Sequence, residues 1–153
     1  MNVSEAELAR WGRVIGAAMH PPMFVMLRGP LGSGKSALAR AIARGAGVEG
    51  PVPSPTFNLL SRYPTPRGLQ IVHLDLYRIS APEELWELGW QELGAQDEVV
   101  LVEWPDRAEA QLPADRWEVT LAYVAGDAAS RTVEVGRVGH PPHLPGFPVS
   151  LSV

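Results

Sequence analysis

An apolar run, Met23-Phe24-Val25-Met26-Leu27, leads into Gly29-Pro30-Leu31-Gly32-Ser33-Gly34-Lys35-Ser36 and then into Ala37-Leu38-Ala39-Arg40-Ala41-Ile42-Ala43-Arg44, which stops at Gly45. The first run reads as a buried strand. The last reads as a helix, because it is rich in good helix formers and ends at glycine. The stretch between them matches G-x-x-x-x-G-K-[ST] in full, and strand, glycine loop, helix is the order that this phosphate-binding pattern requires.

Lys35 is the one lysine among 13 Lys and Arg residues. Arginine stands everywhere else, so the loop keeps an ammonium where a guanidinium would not serve. Lysine is a compact point charge on a thin stem that slips between β- and γ-phosphates, whereas arginine presents a wide planar fork. Gly29, Gly32 and Gly34 let successive N–H groups turn inward and phosphate oxygens approach without a Cβ in the way. The helix starting near Lys35 adds its positive end. The Ser36 hydroxyl suits a hard, octahedral Mg²⁺. The expected ligand is a magnesium nucleoside triphosphate, its base undetermined, held by Gly29, Gly32, Ser33, Gly34, Lys35, Ser36 and Ala37.

At 153 residues the chain suffices for one domain burying roughly 70% of its unfolded surface. Cysteine is absent, which excludes disulfides, zinc thiolates and thiol catalysis. No apolar run approaches the roughly 20 residues of a membrane span, and the start of the chain lacks a secretory pattern. The expectation is a soluble, cytoplasmic protein without membrane contact. A net charge of −4 argues against broad binding to DNA or other nucleic acid by the isolated chain.

Ser4-Glu5-Ala6-Glu7 is a capping box, and Leu8, Trp11, Ile15 and Ala18 share a face, so residues 4–19 read as an amphipathic helix ending before Pro21-Pro22. A Gly- and Pro-rich connector spans 45–55. Residues 57–63 and 69–75 flank a turn at 64–68 and read as a hairpin. Ser80-Ala81-Pro82-Glu83 reads as a second capping box opening a helix to about Leu88. Residues 98–102 form a short buried strand running into Glu103. Residues 117–124 and 131–135 read as a second hairpin around 125–129. The tail from 139 to 153 is Pro-rich and reads as irregular, following a domain over 1–138. His140 and His143 lie in it with no acid nearby, which gives them no metal role.

Two acids end apolar strands. Val99-Val100-Leu101-Val102-Glu103 has the form that brings a carboxylate to the magnesium, the alternative being a surface or capping role. Asp75 ends Ile71-Val72-His73-Leu74 and fits either a group that holds the attacking water or takes its proton, or a turn cap. Ser54-Pro55-Thr56-Phe57 follows the loop helix, where nucleotide-responsive segments sit. Thr56 fits a γ-phosphate sensor or an ordinary Pro turn. Trp104-Pro105 reads as core packing before nucleotide stacking. Arg78 and Arg131 are the candidates for a cation at the γ-phosphate, and neither spacing fixes it there.

Taken together, the loop at 29–36, Ser54-Pro55-Thr56-Phe57, Tyr63, His73-Leu74-Asp75-Leu76-Tyr77-Arg78, Glu83-Glu84-Leu85, Leu88-Gly89 and Glu103-Trp104-Pro105 closely resemble the bacterial tRNA threonylcarbamoyladenosine biosynthesis ATPases, the TsaE family, over about residues 4–136. The resemblance implies an α/β P-loop fold, with parallel core strands extended by antiparallel hairpin strands and helices on both faces. It implies ATP and Mg²⁺ bound by Lys35, Ser36 and Glu103, with Asp75 as the catalytic candidate and Thr56 in a switch-like loop. It implies a cytoplasmic complex with TsaB and TsaD that modifies adenosine 37 of tRNA, the tRNA reached only through that complex. Pro30, Ala37 and Leu8 depart from the family pattern, where an acid, a second Thr and a first-helix Thr are usual. Ala37 removes a hydroxyl that would reach the α-phosphate. A small-molecule kinase or a noncatalytic ATP-binding regulator is the rival reading.

Overall fold

Among the residues described by the computed structural model, 2–52 and 59–144, regular structure runs in the order β1 (Asn2–Ser4), α1 (Glu5–Ala18), β2 (Met23–Arg28), α2 (Lys35–Gly45), β3 (Leu60–Pro64), β4 (Gln70–Asp75), α3 (Pro82–Glu87), β5 (Glu98–Glu103), β6 (Arg116–Val124) and β7 (Asp127–Val138). Short 3-10 segments, Trp90–Glu92 and Pro105–Gln111, precede and follow β5. Thr56 with its neighbours Ser54, Pro55 and Phe57, and the tail over 145–153, lie outside the described residues.

One seven-stranded sheet has the order β1-β7-β6-β2-β5-β4-β3. Strand β2 runs parallel to β5 and β6, and β4 parallel to β5, while β1 with β7, β7 with β6, and β4 with β3 are antiparallel. This is the expected parallel core with antiparallel extensions. Its central strands are unbroken apolar runs because both faces are covered. On one face Leu8, Ile15, Leu38 and Ile42 of α1 and α2 pack on Val25, Leu27, Val99 and Leu101. On the other, Leu85 of α3 and Trp90 cover Met26, Val72, Leu74, Val100 and Val102. Burying each such aliphatic side chain contributes about 1.5–3 kcal/mol.

Helices α1 and α2 approach through glycine. A Cβ on Gly16 would stand 2.1 Å from the Ile42 carbonyl oxygen, and one on Gly45 equally 2.1 Å from the Arg13 carbonyl oxygen. Helix α1 is therefore pressed backbone to backbone against α2, and its first turns reach the start of that helix. The capping box that opens α1 forms as read: Glu7 N–H donates to Ser4 Oγ, and Ser4 N–H to Glu7 Oε1, both at 3.1 Å.

Three local readings need correction. The three-residue strand β1, paired to β7 through Val3 and Arg131, was too short to give a pattern. The second hairpin turns on Ala125-Gly126 rather than over 125–129, because Gly126 takes φ 78° and Val124 already pairs with Asp127. The box at Ser80 is displaced by one: Ala81 is the N-cap of α3, and Ser80 bonds Glu84 through both its N–H and its hydroxyl. After β7, residues 139–144 lack regular structure but dock, with Trp117 Nε1 donating to the Pro142 carbonyl at 3.0 Å and Leu144 buried. No helix among the described residues is long and apolar enough to cross a membrane.

Candidate functional site

Strand β2 ends at the sheet's carboxyl edge, and the glycine loop turns from there into α2. Gly34, the N-cap of α2, has φ 109° and no side chain to cap the helix. The first-turn N–H groups thus have no capping side chain, which is the condition for anion binding at a helix start. They face a cleft of about 410 Å³ bounded by the loop from Leu31 onward, by Ser36 and Ala37, and by Leu8 and Ala9 of α1. Gly29 sits behind it and offers its carbonyl to Lys35.

The sheet register brings the acids to the same place. Asp75 is the Cα partner of Glu103 in the parallel β4–β5 pair, and His73, two residues before Asp75, shares its face. Ser36 Oγ donates to Glu103 Oε1 at 2.9 Å and lies 3.0 Å from Oε2. His73 Nε2 lies 2.6 Å from Glu103 Oε2, with both side chains almost wholly buried. A carboxylate only accepts, so the proton of this bond sits on Nε2. His73 Nδ1 is buried and finds no partner among the described residues.

Lys35 Nζ donates to the carbonyls of Gly29 at 2.7 Å and Pro30 at 2.9 Å, and stands 4.2 Å from the ring centroid of Trp104. Burial lowers its pKa, against the pull of Glu103, Asp75 and Asp106. Trp104 is the one non-glycine residue with positive φ, 57°, among those described. That conformation costs of order 1 kcal/mol or more and turns the ring across the ammonium, with Tyr77 stacked at a tilt 4.9 Å away. Trp104 therefore serves the cleft as well as the core, which its neighbourhood in sequence did not indicate.

Asp75 joins two readings that the sequence left open. Its Oδ1 accepts Tyr77 N–H at 3.0 Å, which is a turn cap, and its carboxyl lines the cleft. Burial raises its pKa, and the nearby Glu103 adds to that, while the Tyr77 N–H, His73 and Lys35 oppose it.

The structure thus gathers Lys35, Ser36, Asp75 and Glu103 around one cleft, along with Gly32, Ser33, Gly34 and Ala37; Thr56 lies outside the described residues. Arg78 is exposed, while Arg131 lines the cleft with its donors turned toward backbone carbonyls. Sequence reasoning gave no role to His73 or Tyr123. The signal for His73 was its i−2 spacing from Asp75 on a strand.

Comparison with known proteins places this geometry in a family. The family model described as "Threonylcarbamoyl adenosine biosynthesis protein TsaE" matches residues 2–133. Among relatives, the "tRNA threonylcarbamoyladenosine biosynthesis protein TsaE" of Treponema pallidum is 33% identical over 131 residues, covering 85% of this chain and 95% of that one. The protein of the same name from Rickettsia bellii is 38% identical over 125 residues, covering 81% and 85%. The crystal structure of YdiB from Bacillus subtilis superposes with a TM-score of 0.65 at 28% identity, over 87% of this chain and 80% of that one. With matching sequence over most of its length and a matching fold, this chain belongs to the TsaE family of tRNA threonylcarbamoyladenosine biosynthesis proteins.

Proposed function

We propose that the chain binds Mg-ATP in the cleft and hydrolyses it as a partner-dependent ATPase, driving the cycle of a cytoplasmic TsaB–TsaD complex that forms threonylcarbamoyladenosine at position 37 of tRNA. The observation that carries the reading is the Ser36–Glu103 contact beside Lys35. A hydroxyl and a carboxylate in hydrogen-bond contact at the mouth of a phosphate loop are two hard oxygen donors at one point, the donor set that suits magnesium. No group of three or more His, Asp or Glu is gathered for a metal among the described residues.

Ser36 and Glu103 would hold the magnesium, which would supply charge neutralisation at the phosphates. Lys35 and the uncapped start of α2 supply the remaining positive potential. Asp75, its proton affinity raised by burial, is the base for the attacking water. Tyr77 and Trp104 form a low-dielectric wall beside Asp75 and Lys35, where charge acts more strongly than in water. The link to tRNA rests on family membership, and the dependence on TsaB and TsaD on the sequence resemblance. Thr56, on the segment after α2, is the proposed γ-phosphate sensor on sequence grounds. Calorimetric titration with ATP, with and without magnesium, tests the binding step: affinity that magnesium enhances supports it, and no heat of binding in either buffer refutes it.

A further inference from the structure

The carbonyls of the glycine loop are held by two side chains of the β6–β7 hairpin, and we propose that Arg131 and Tyr123 are positioning residues that preset the loop's N–H groups for a polyphosphate. The inference rests on the ATP-binding reading above and concerns what orders that site before ligand arrives.

Tyr123 Oη donates to the Leu31 carbonyl. Arg131 Nε donates to the Ser33 carbonyl at 3.1 Å, and its Nη2 reaches the Gly32 carbonyl at 3.5 Å. Three consecutive loop carbonyls are thus drawn toward the hairpin. In a trans peptide the C=O of one residue and the N–H of the next point in opposite directions. Pinning the Leu31 and Ser33 oxygens to the hairpin side chains therefore aims the N–H groups of Gly32 and Gly34 away from those side chains, and both residues line the cleft. The Ser33 N–H stays inside the loop, donating to the Pro30 carbonyl at 3.1 Å.

The clamp is itself anchored. Arg131 Nη1 donates to the carbonyls of Ala128 at 2.8 Å and Ser130 at 2.9 Å, and the guanidinium lies 4.7 Å from the Tyr123 ring centroid. Asp127 fixes that end of the hairpin by accepting Ala129 N–H at 3.0 Å and Ser130 Oγ–H at 2.8 Å. Arg131 is 8% exposed. The fit leaves no space for a side chain in between: a Cβ on Gly32 would stand 2.7 Å from Tyr123 Oη. Its Nε and Nη1 are bonded to carbonyls and its Nη2 stands against the Gly32 carbonyl. Arg131 thus acts through the loop.

Two measurements on the full chain test this: titration with ADP, and ¹⁵N backbone order parameters of the ligand-free protein. Tyr123→Phe deletes one hydroxyl from a half-exposed ring and leaves the fold intact. It is expected to weaken ADP roughly five-fold, and Arg131→Met roughly ten- to hundred-fold. In both variants the order parameters of Gly32, Ser33 and Gly34 fall from roughly 0.85 toward 0.6 while those of β2 and β5 hold. Unchanged affinity and loop order in both variants overturn the clamp, as does a loss of order spread equally over β2 and β5. A wild-type protein that binds no ADP overturns the ATP-binding reading instead, and the order parameters then still decide whether the clamp exists.

Discussion

Ser36 Oγ sits between the two carboxylate oxygens of Glu103, 2.9 and 3.0 Å away, across 67 residues of sequence. Neither residue reaches the other through its own element. Ser36 comes from the first turn of α2 and Glu103 from the end of β5, and the parallel pairing of β2 with β5 closes the distance. The helix start and the acid are thereby fixed by the same sheet.

Removing the ammonium tests the loop. Lys35→Ala is expected to abolish measurable ATP binding, a loss on the order of 3 kcal/mol for a charged hydrogen-bonding partner. Isothermal titration reads it, and wild-type affinity in the variant would sink the assignment of the loop.

His73 contacts the Glu103 carboxylate, so under the proposed magnesium role of Glu103 its loss is expected to act on the metal before the nucleotide. His73→Gln is expected to raise the magnesium concentration for half-maximal turnover roughly 10- to 100-fold, as for partners of metal ligands generally, with magnesium-free ATP affinity unchanged. A magnesium titration of phosphate release shows which; an unaltered midpoint makes His73 a packing residue only.

Asp75→Asn keeps size and loses basicity, and turnover with the partner proteins is expected to fall roughly 100-fold while ATP still binds. The same substitution carries a pH signature. Burial raises the Asp75 pKa in the folded state, so the unfolded chain gives up this proton first. The wild type loses stability as pH rises through that range, and the loss is complete above the folded-state pKa. The Asn variant is therefore expected to melt higher than wild type at neutral pH, with the gain vanishing in acid below the ordinary Asp range. Thermal melts across pH would contradict this if the gain were constant.

The helix contact gives a prediction on stability alone. Gly16→Ala places a Cβ 2.1 Å from the Ile42 carbonyl oxygen, and overpacking of this kind costs about 1–3 kcal/mol. Gly136→Ala, where nothing lies within 4 Å of the added carbon, serves as the control. Equal denaturation midpoints for the two variants would mean that α1 can move off α2.

Legibility in the sequence followed locality. The glycine loop between strand and helix, the Ser4–Glu7 cap and the apolar strand ending in Glu103 were readable because each is written in consecutive residues whose backbone demands are their own. The His73–Glu103 contact was not, since it depends on which strands lie side by side and in what register. The glycine contact of α1 with α2 was hidden for the same reason: Gly16 in a helix is a weakness until the partner backbone is known. Trp104 and Arg131 carry features that consecutive residues do not show. The first takes a left-handed backbone that places its ring over Lys35, and the second spends its charge on loop carbonyls.

The most direct test of the central claim is steady-state phosphate release from Mg-ATP by the chain alone and with its cognate TsaB–TsaD pair. Of the two arginines that the sequence singled out, Arg131 bonds loop carbonyls and Arg78 is on the surface. The chain alone should turn over slowly, and the pair should accelerate it by about 10³ or more, the scale set by supplying a missing cation or ordering a switch segment. Thr56→Ala should lose that acceleration. Fast hydrolysis by the chain alone, unchanged by the pair, would contradict the partner-dependent mechanism while leaving the ATP site in place.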